Sequence, residues 1–130
     1  MTHHYSASVF YDALKRELSF AKREGNLVGV VKFELLEGSS EDQLIFFANE
    51  LELAVRQHDL IARIGAREFA VLLRLDIEIE NAFKALVSRL KKFERREFKV
   101  GHIFSDGTKG LAHVLEELDN PQILHSSKML

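Results

Sequence analysis

The chain has 130 residues, a formal net charge of −2, 46% apolar residues and 29% charged residues, which predicts one soluble globular domain with a single core. The slightly negative charge argues against a nucleic-acid-binding protein, because tracking phosphates requires a basic surface. The absence of cysteine excludes disulfides, and the absence of both a signal peptide and an apolar run of roughly 20 residues predicts a cytoplasmic protein without a membrane span.

The first half of the chain predicts a helix, a strand and a second helix. The first helix has apolar residues at helical spacing and a stop signal at Gly25-Asn26. Leu27 to Leu36 is rich in β-branched residues and predicts a largely buried strand. Ser39 or Ser40 then caps a second helix. Its predicted inner face consists of Leu44, Phe47, Ala48, Leu51, Ala54 and Val55.

The second half predicts a hairpin, a third helix, a fourth strand and a short last helix. Leu60 to Ile64 and Phe69 to Leu75 are apolar runs joined by a short turn. Apolar residues from Ala82 to Phe93 recur at helical spacing on a helix with a basic polar side, which includes Arg95 and Arg96. A strand follows at 98–104, and Leu111 to Leu118 predicts the last helix.

The order of these elements predicts the fold class. A helix, then β-α-β-β-α-β, then a helix indicates an α+β fold with a ferredoxin-like core, in which one antiparallel sheet is flanked by helices. We expect residues 1–120 to form a single domain. Pro121 ends the last helix, so 121–130 is predicted to be a loose C-terminal tail.

One segment, Arg56 to Leu73, reads as a signature. Its hairpin turn is Gly65-Ala66-Arg67-Glu68-Phe69, and Arg56-Gln57-His58-Asp59 precedes it. The segment resembles the central hairpin of the GGDEF family, the diguanylate cyclases of bacteria, which have Gly-Gly-Asp/Glu-Glu-Phe at this turn. The resemblance identifies a shortened, degenerate GGDEF domain and implies the nucleotide-cyclase-like variant of the fold just described.

The resemblance also predicts that catalysis is lost. In the family, carboxylates hold Mg²⁺ against the triphosphate of GTP. Arg67 is a cation where the family has an acidic metal ligand, and Ala66 adds a methyl group where glycine lets the backbone approach phosphate. The strand before the nucleotide site offers Lys32 and Glu34 in place of the metal-binding aspartate. We therefore expect no enzyme, no catalytic residue, no metal site and no cofactor, Mg²⁺ included.

Other parts of the family's nucleotide site are shortened. Glu41 falls where the guanine-reading aspartate would be, but the connection before it lacks the family's Phe-Lys and its guanine-reading asparagine. The family's last helix, whose lysine contacts phosphate, has no counterpart after Leu118. These losses are independent of the altered turn.

The binding half of the signature is retained. The Arg-x-x-Asp of Arg56 and Asp59, predicted to lie on one side of a helix end, has the spacing of the family's inhibitory site for cyclic di-GMP. The family completes this site with an arginine on the next helix, which Arg89 matches in Ser88-Arg89-Leu90-Lys91. An arginine can reach the Hoogsteen edge of guanine, and a carboxylate accepts from its N1–H. The resemblance thus implies cyclic di-GMP as a regulatory ligand of Arg56, Asp59 and Arg89.

Simpler interpretations of these residues stay open. Arg56 is a residue favoured at helix C-termini, Asp59 is common in turns, and Arg89 is one of several cations on its helix. Arg63 is predicted to anchor the hairpin structurally, with Phe69 in the core.

The leading functional hypothesis is a cyclic di-GMP receptor that signals to an unidentified protein partner, and a ligand-linked homodimer is compatible with it. The alternative is a nucleotide-independent protein–protein interaction or scaffold module. A third hypothesis is a mononucleotide bound at Arg67.

Overall fold

The protein is described here from a computed structural model that covers residues 5–56, 59–73, 79–93 and 97–129. Its first half forms α1 (Ala7–Glu24), β1 (Val28–Leu35) and α2 (Glu41–Ala54). The side chain of Ser6 caps α1, which ends at Gly25 with a left-handed φ of 71°. Ser40 and Gln43 form a capping box at the start of α2, each side chain accepting a backbone N–H of the other.

The second half forms the predicted hairpin, helix, strand and last helix, followed by one more short strand. These elements are β2 (Leu60–Gly65), β3 (Glu68–Leu73), α3 (Ile79–Phe93), β4 (Phe98–Ser105), α4 (Leu111–Asp119) and β5 (His125–Ser126). The predicted end of β3 at Leu75 and the basic residues Arg95 and Arg96 lie outside the described residues.

The strands form one antiparallel sheet in the order β2-β3-β1-β4-β5, with β1 in the centre. Because side chains alternate along a strand, β1 contributes to two cores. Val31 and Phe33 pack in the core that contains α2 and α3, whereas Val28 and Val30 pack in the core that contains α1 and α4. The predicted α+β fold, with an antiparallel sheet flanked by helices, is confirmed.

Aromatic rings hold the core on the α2 and α3 side. Phe47 of α2 is fully buried and lies with its ring centroid 5.7 Å from Phe33, 5.4 Å from Phe69 and 5.6 Å from Phe98. Such pairs contribute beyond the area that they bury. This cluster ties α2 and the turn that follows it firmly to the sheet, and it confirms Phe69 as a core residue.

The segment after Pro121 is not the loose tail that the sequence predicts. Two 3₁₀ turns, Pro121–Ile123 and Ser127–Met129, flank β5, which pairs with β4. Ser127 is buried, and its Oγ accepts a hydrogen bond of 3.1 Å from the amide of Phe98. At Gly101 a Cβ would lie 2.9 Å from the carbonyl carbon of Ile123, so only glycine permits this close approach. The chain after α4 is therefore packed against β4.

At the β2 edge of the sheet, Tyr5 pairs with β2 through a β-bridge to Ala62. Tyr5 donates its amide to the carbonyl of Ile61 over 3.0 Å and accepts the amide of Arg63 over 3.4 Å. Residues from both ends of the described chain therefore pair with the sheet.

Candidate functional site

The Arg56–Asp59 pair lies in a turn rather than on a helix end. Helix α2 ends at Ala54, because Val55 adopts an extended conformation with ψ of 164°. The amide of Arg56 donates to Oδ2 of Asp59, and the amide of Asp59 donates to the carbonyl of Arg56, both over 3.1 Å. The prediction that the two residues share a helix face is wrong, but the turn still holds them together. His58 lies outside the described residues.

The structure brings Arg89 to this turn. Arg89 is half-buried on α3, and its Nε donates a hydrogen bond of 2.6 Å to the carbonyl oxygen of Ala54. Ala54 is the last residue of α2 and precedes Arg56 by two positions. A cation is favoured there, because the C-terminal carbonyls of a helix carry partial negative charge. We call this region, formed by Arg56, Asp59 and Arg89, the α2–α3 corner.

The α2–α3 corner combines two guanidinium groups with one carboxylate. The side chain of Arg56 is exposed, whereas those of Asp59 and Arg89 are half-buried. A guanidinium has five N–H donors, of which the bond from Arg89 to Ala54 uses one, and a carboxylate accepts hydrogen bonds at both of its oxygens. This set of groups can bind a molecule that presents both purine edges and phosphate oxygens.

Arg63 anchors the hairpin turn, as predicted. Its Nε donates to the carbonyl of Gly65 over 3.3 Å and its Nη2 to that of Ala66 over 2.7 Å. The same guanidinium binds both carboxylate oxygens of Glu41, at 2.8 and 3.4 Å. Glu41, which the resemblance places at the guanine-reading position, is thus paired with Arg63, and this bond lowers the pKa of Glu41.

We expect the Glu41→Gln variant to differ from the native chain mainly above pH 4.5. The pKa of Glu41 lies below its usual 4.5 in the folded state, because Arg63 donates hydrogen bonds to the carboxylate and attracts it. A lowered pKa stabilises the fold above the unfolded pKa, and this stabilisation is lost as the pH falls through the folded pKa. Thermal unfolding at pH 7 and pH 3 tests this. The difference between the two proteins should be small, because the pair is exposed, and should shrink at pH 3.

Arg67, the altered residue of the turn, lies against the end of β1. Its Nη1 donates 2.7 Å to the carbonyl of Leu35, and its Nη2 lies 3.8 Å from Oε1 of Glu34. The backbone carbonyl of Arg67 also accepts the amide of Leu35 over 2.9 Å. The Arg67 guanidinium is therefore engaged within the protein, which weakens the hypothesis of a mononucleotide site there.

Lys32 forms a buried ion pair that the sequence did not predict. Its side chain is 7% exposed, and its Nζ lies 3.0 Å from the carbonyl of Leu118 and 3.2 Å from Oε2 of Glu68. Lys32 shares a face of β1 with Val28 and Val30, which pack under α1 and α4. The sequence could have indicated this ion pair, because Lys32 falls at a position of the predicted strand that faces the core. The bond to Leu118 ties the last turn of α4 to the sheet.

The ion pairs of Lys32 with Glu68 and of Arg67 with Glu34 do not fit a Mg²⁺ site. Glu34 and Glu68 lie opposite each other on β1 and β3, and Mg²⁺ prefers such carboxylate oxygens. Each carboxylate, however, has an internal cation beside it, Arg67 and Lys32 respectively. Within the ranges that the structure describes, no group of three His, Cys, Asp or Glu side chains is placed to hold a metal ion.

Comparison with known proteins identifies the fold. No family model and no curated protein matches the sequence. The GGDEF domain of TpbB (YfiN) from Pseudomonas aeruginosa superimposes with a TM-score of 0.75 at 18% identity, covering 91% of this chain and 81% of that one. The GGDEF domain of DgcB from Caulobacter crescentus, solved in complex with c-di-GMP, superimposes with a TM-score of 0.75 at 16% identity, covering 91% and 82%.

A third similar structure contains a protein partner. The diguanylate cyclase SiaD from Pseudomonas aeruginosa, solved with its activator SiaC, superimposes with a TM-score of 0.76 at 18% identity, covering 91% of this chain and 53% of that one. At these identities the likeness shows the fold alone. In the described part of the chain, no helix combines the length and apolar character needed to cross a membrane.

Proposed function

We propose that this chain, which has the fold of a GGDEF domain, is catalytically inactive and binds cyclic di-GMP at the α2–α3 corner, passing the signal to a protein partner. The observation that carries the proposal is the hydrogen bond from Arg89 to Ala54. It joins a residue of α3 to the end of α2, beside the Arg56–Asp59 turn. The bond supports the proposal because it holds the side chain of Arg89 at a residue only two positions before Arg56, although the two arginines are 33 positions apart in the sequence.

The chemistry of the corner suits this ligand. Cyclic di-GMP presents guanine bases and phosphates, so its receptor needs cationic donors and at least one carboxylate acceptor. An arginine can lie flat on a base or donate to its Hoogsteen edge, and Asp59 can accept from the guanine N1–H and amino group. The turn bonds hold the carboxylate of Asp59 and the backbone of Arg56 in place before ligand arrives, which reduces the entropy that Asp59 loses on binding. The complex of the DgcB domain with c-di-GMP shows that this fold can carry such a ligand.

Inactivity is supported by the charges at the altered turn. A catalytic site would need Mg²⁺ between carboxylates and triphosphate. Here Arg67 and Lys32 stand beside Glu34 and Glu68, and a bound Mg²⁺ would be repelled by both cations. Neither ion pair can open without leaving a charge unpaired, and Lys32 is buried.

Isothermal titration with cyclic di-GMP tests the receptor proposal. We expect the native chain to bind, and the Arg56→Ala variant to bind about tenfold more weakly, because it loses one charged hydrogen bond from an exposed side chain. Arg16→Ala is the matched control, since Arg16 is an exposed cation on α1, and its affinity should equal that of the native chain. Absence of heat with the native chain, or equal affinities for all three proteins, contradicts the proposal.

Incubation with GTP and Mg²⁺ tests inactivity separately. We expect no cyclic di-GMP by chromatography, even after long incubation at high protein concentration. Product formation would refute the inactivity claim without bearing on binding at the α2–α3 corner.

A second candidate function is a nucleotide-independent interaction module. It is favoured by three large apolar side chains that are exposed on α2, namely Ile45, Phe46 and Leu53. The SiaD structure, solved with the activator SiaC, shows that a protein of this fold can bind a protein partner. If the native chain binds no cyclic di-GMP, this function becomes the leading one.

A further inference from the structure

On the side of β4 that faces α2 and α3, one position carries a histidine. Phe98 and Val100 of this strand pack in the core beneath the two helices. His102 is the next residue on the same side, because side chains alternate along a strand, and it lies opposite the buried Val31 of β1. His102 is half-buried and belongs neither to the α2–α3 corner nor to the altered turn. An ionisable side chain thus occupies a position where the alternation of the strand predicts an apolar one.

The imidazole of His102 contacts two phenylalanine rings. Its centroid is 3.9 Å from that of Phe83 on α3 and 4.9 Å from that of Phe104 on β4. Phe83 is buried, so His102 packs against the inner side of α3. Ring contacts of this kind contribute beyond the area that they bury. We call these three residues the His102 cluster, which joins the start of α3 to the sheet.

Burial is the largest influence on the protonation of His102, and it lowers the pKa of the imidazole below the usual 6.5. Two ionisable groups act on the imidazole from the neighbouring elements that the structure describes. Glu80, three positions before Phe83 on α3, attracts a proton on His102 and raises its pKa, whereas His125 of β5 repels that proton and lowers the pKa. The neighbouring strand β1 contributes the apolar Val31. Near neutral pH the imidazole is therefore mostly uncharged.

Proton uptake at His102 opposes the contact between α3 and β4. A folded-state pKa below the unfolded one means that the folded chain binds this proton less readily than the unfolded chain does. The stability that the neutral imidazole contributes is fully present above the unfolded pKa of about 6.5, and it is lost as the pH falls from there through the folded pKa. Any opening that exposes His102 to water is therefore favoured by acid.

The start of α3 is the element that such an opening would release. Strand β4 pairs with β1 along its whole length, and these backbone hydrogen bonds do not involve the imidazole. Helix α3 contacts the sheet through side chains instead, such as Phe83 on His102. Loss of this contact thus releases the helix and leaves the strand in place. Because α3 also carries Arg89, the opening concerns the helix that completes the α2–α3 corner.

We propose that the His102 cluster is an acid-sensitive contact, through which protonation of the imidazole releases the start of α3 from β4 while the sheet stays folded. Histidine suits this role, because its charge changes between about pH 5 and about pH 8. The opening is local, so it requires less free energy than unfolding of the whole domain. The proposal rests on the fold and does not depend on cyclic di-GMP.

NMR titration of the imidazole protons tests the protonation of His102. The chain has six histidines, and the signal of His102 is the one that disappears in a His102→Phe variant. We expect its pKa to lie below 6.5 in the native chain and to fall further in Glu80→Gln, which loses the attracting carboxylate. A pKa at or above the usual value would mean that Glu80 and the phenylalanine rings hold the imidazolium, and it would overturn the proposal.

Amide hydrogen exchange at about pH 7.5 and about pH 5.5 tests the local opening. After correction for the intrinsic pH dependence of exchange, the hydrogen-bonded amides in the first half of α3 should lose several-fold in protection at the lower pH. The part due to His102 cannot exceed about tenfold, because the lower pH lies about one unit below the pKa of an exposed histidine. These amides should then be less protected than those of β1. Equal protection of α3 and β1 would mean that the helix opens only with the whole domain, which contradicts a local release.

Three variants show whether His102 causes the acid response. His102→Phe retains an aromatic ring and His102→Gln retains a polar side chain. Neither side chain titrates in this range, so both variants should lose less protection between the two pH values than the native chain does, and either one suffices if the other does not fold. His113→Gln is the matched control, because His113 lies on α4, on the other side of the sheet, and it should respond as the native chain does. A response in the His102 variants that equals the native one refutes the role of this histidine.

Discussion

The Lys32→Asp variant is expected to lose about 3 kcal/mol of unfolding free energy and to gain no cyclase activity. The substitution puts an aspartate at one of the two positions, Lys32 and Glu34, that this strand offers where the GGDEF resemblance expects a metal-binding aspartate. In this structure, however, it removes the buried cation that binds the carbonyl of Leu118 and the carboxylate of Glu68. It also brings a second carboxylate close to Glu68. The loss should be smaller than for a fully buried pair, because Glu68 is partly exposed.

Urea unfolding followed by circular dichroism measures this loss. Lys32→Met is the matched control, because methionine retains the unbranched apolar stem and adds no negative charge. We expect it to lose less stability, about 1 to 2 kcal/mol, through the unpaired carbonyl of Leu118. Equal stability of the native chain and the Lys32→Asp variant would mean that Lys32 does not hold α4 to the sheet. Cyclase activity in that variant would overturn the inactivity argument.

The Arg89→Ala variant is expected to bind cyclic di-GMP about 30- to 100-fold more weakly, a loss of about 2 to 3 kcal/mol. This exceeds the effect expected for Arg56→Ala for a structural reason. Arg89 is half-buried and already fixed by its bond to Ala54, so its guanidinium loses little conformational freedom when ligand binds. Arg56 is exposed and must be ordered by the ligand.

Two variants control the Arg89 experiment, again by isothermal titration. Lys84→Ala removes an exposed cation from the same helix and should leave affinity unchanged. Arg89→Lys keeps the charge but not the planar fork of donors, so it should recover only part of the affinity. Full affinity in Arg89→Ala would remove α3 from the site and leave the Arg56–Asp59 turn as a local structural motif.

Much of the fold could be predicted because local signals agree with the tertiary structure. Ser40, one of the two predicted caps of α2, and Gly25, in the predicted stop of α1, lie at helix ends in the structure. The apolar and β-branched runs correspond to β1 to β4, and the predicted turn at Gly65 joins the two strands of the hairpin. Strand β5 could not be predicted, because a pair of residues has no periodicity. Its position depends on contacts with β4 instead, such as the bond from Phe98 to Ser127.

The candidate site shows where sequence reasoning fails. The end of α2 at Ala54 has neither glycine nor proline after it, so the sequence predicts a helix that continues to Arg56. The structure ends it because Val55 is extended and Asp59 satisfies the amide of Arg56. The partners of Lys32 lie on β3 and α4, at a distance in sequence that no local pattern encodes. The apolar residues Ile45, Phe46 and Leu53 were visible in the sequence, but only the structure shows that they face outwards.

The short pairings at both sides of the sheet, Tyr5 beside β2 and His125–Ser126 beside β4, also bear on aggregation. An outermost strand with free amides and carbonyls is a template for another chain, and very short outer strands are one way in which proteins blunt it. The outermost strand beside β4 is β5, which has only two residues, and within the described residues Tyr5 adds one bridge to β2. Continuous strand-to-strand growth between molecules is thereby disfavoured along the β5 edge.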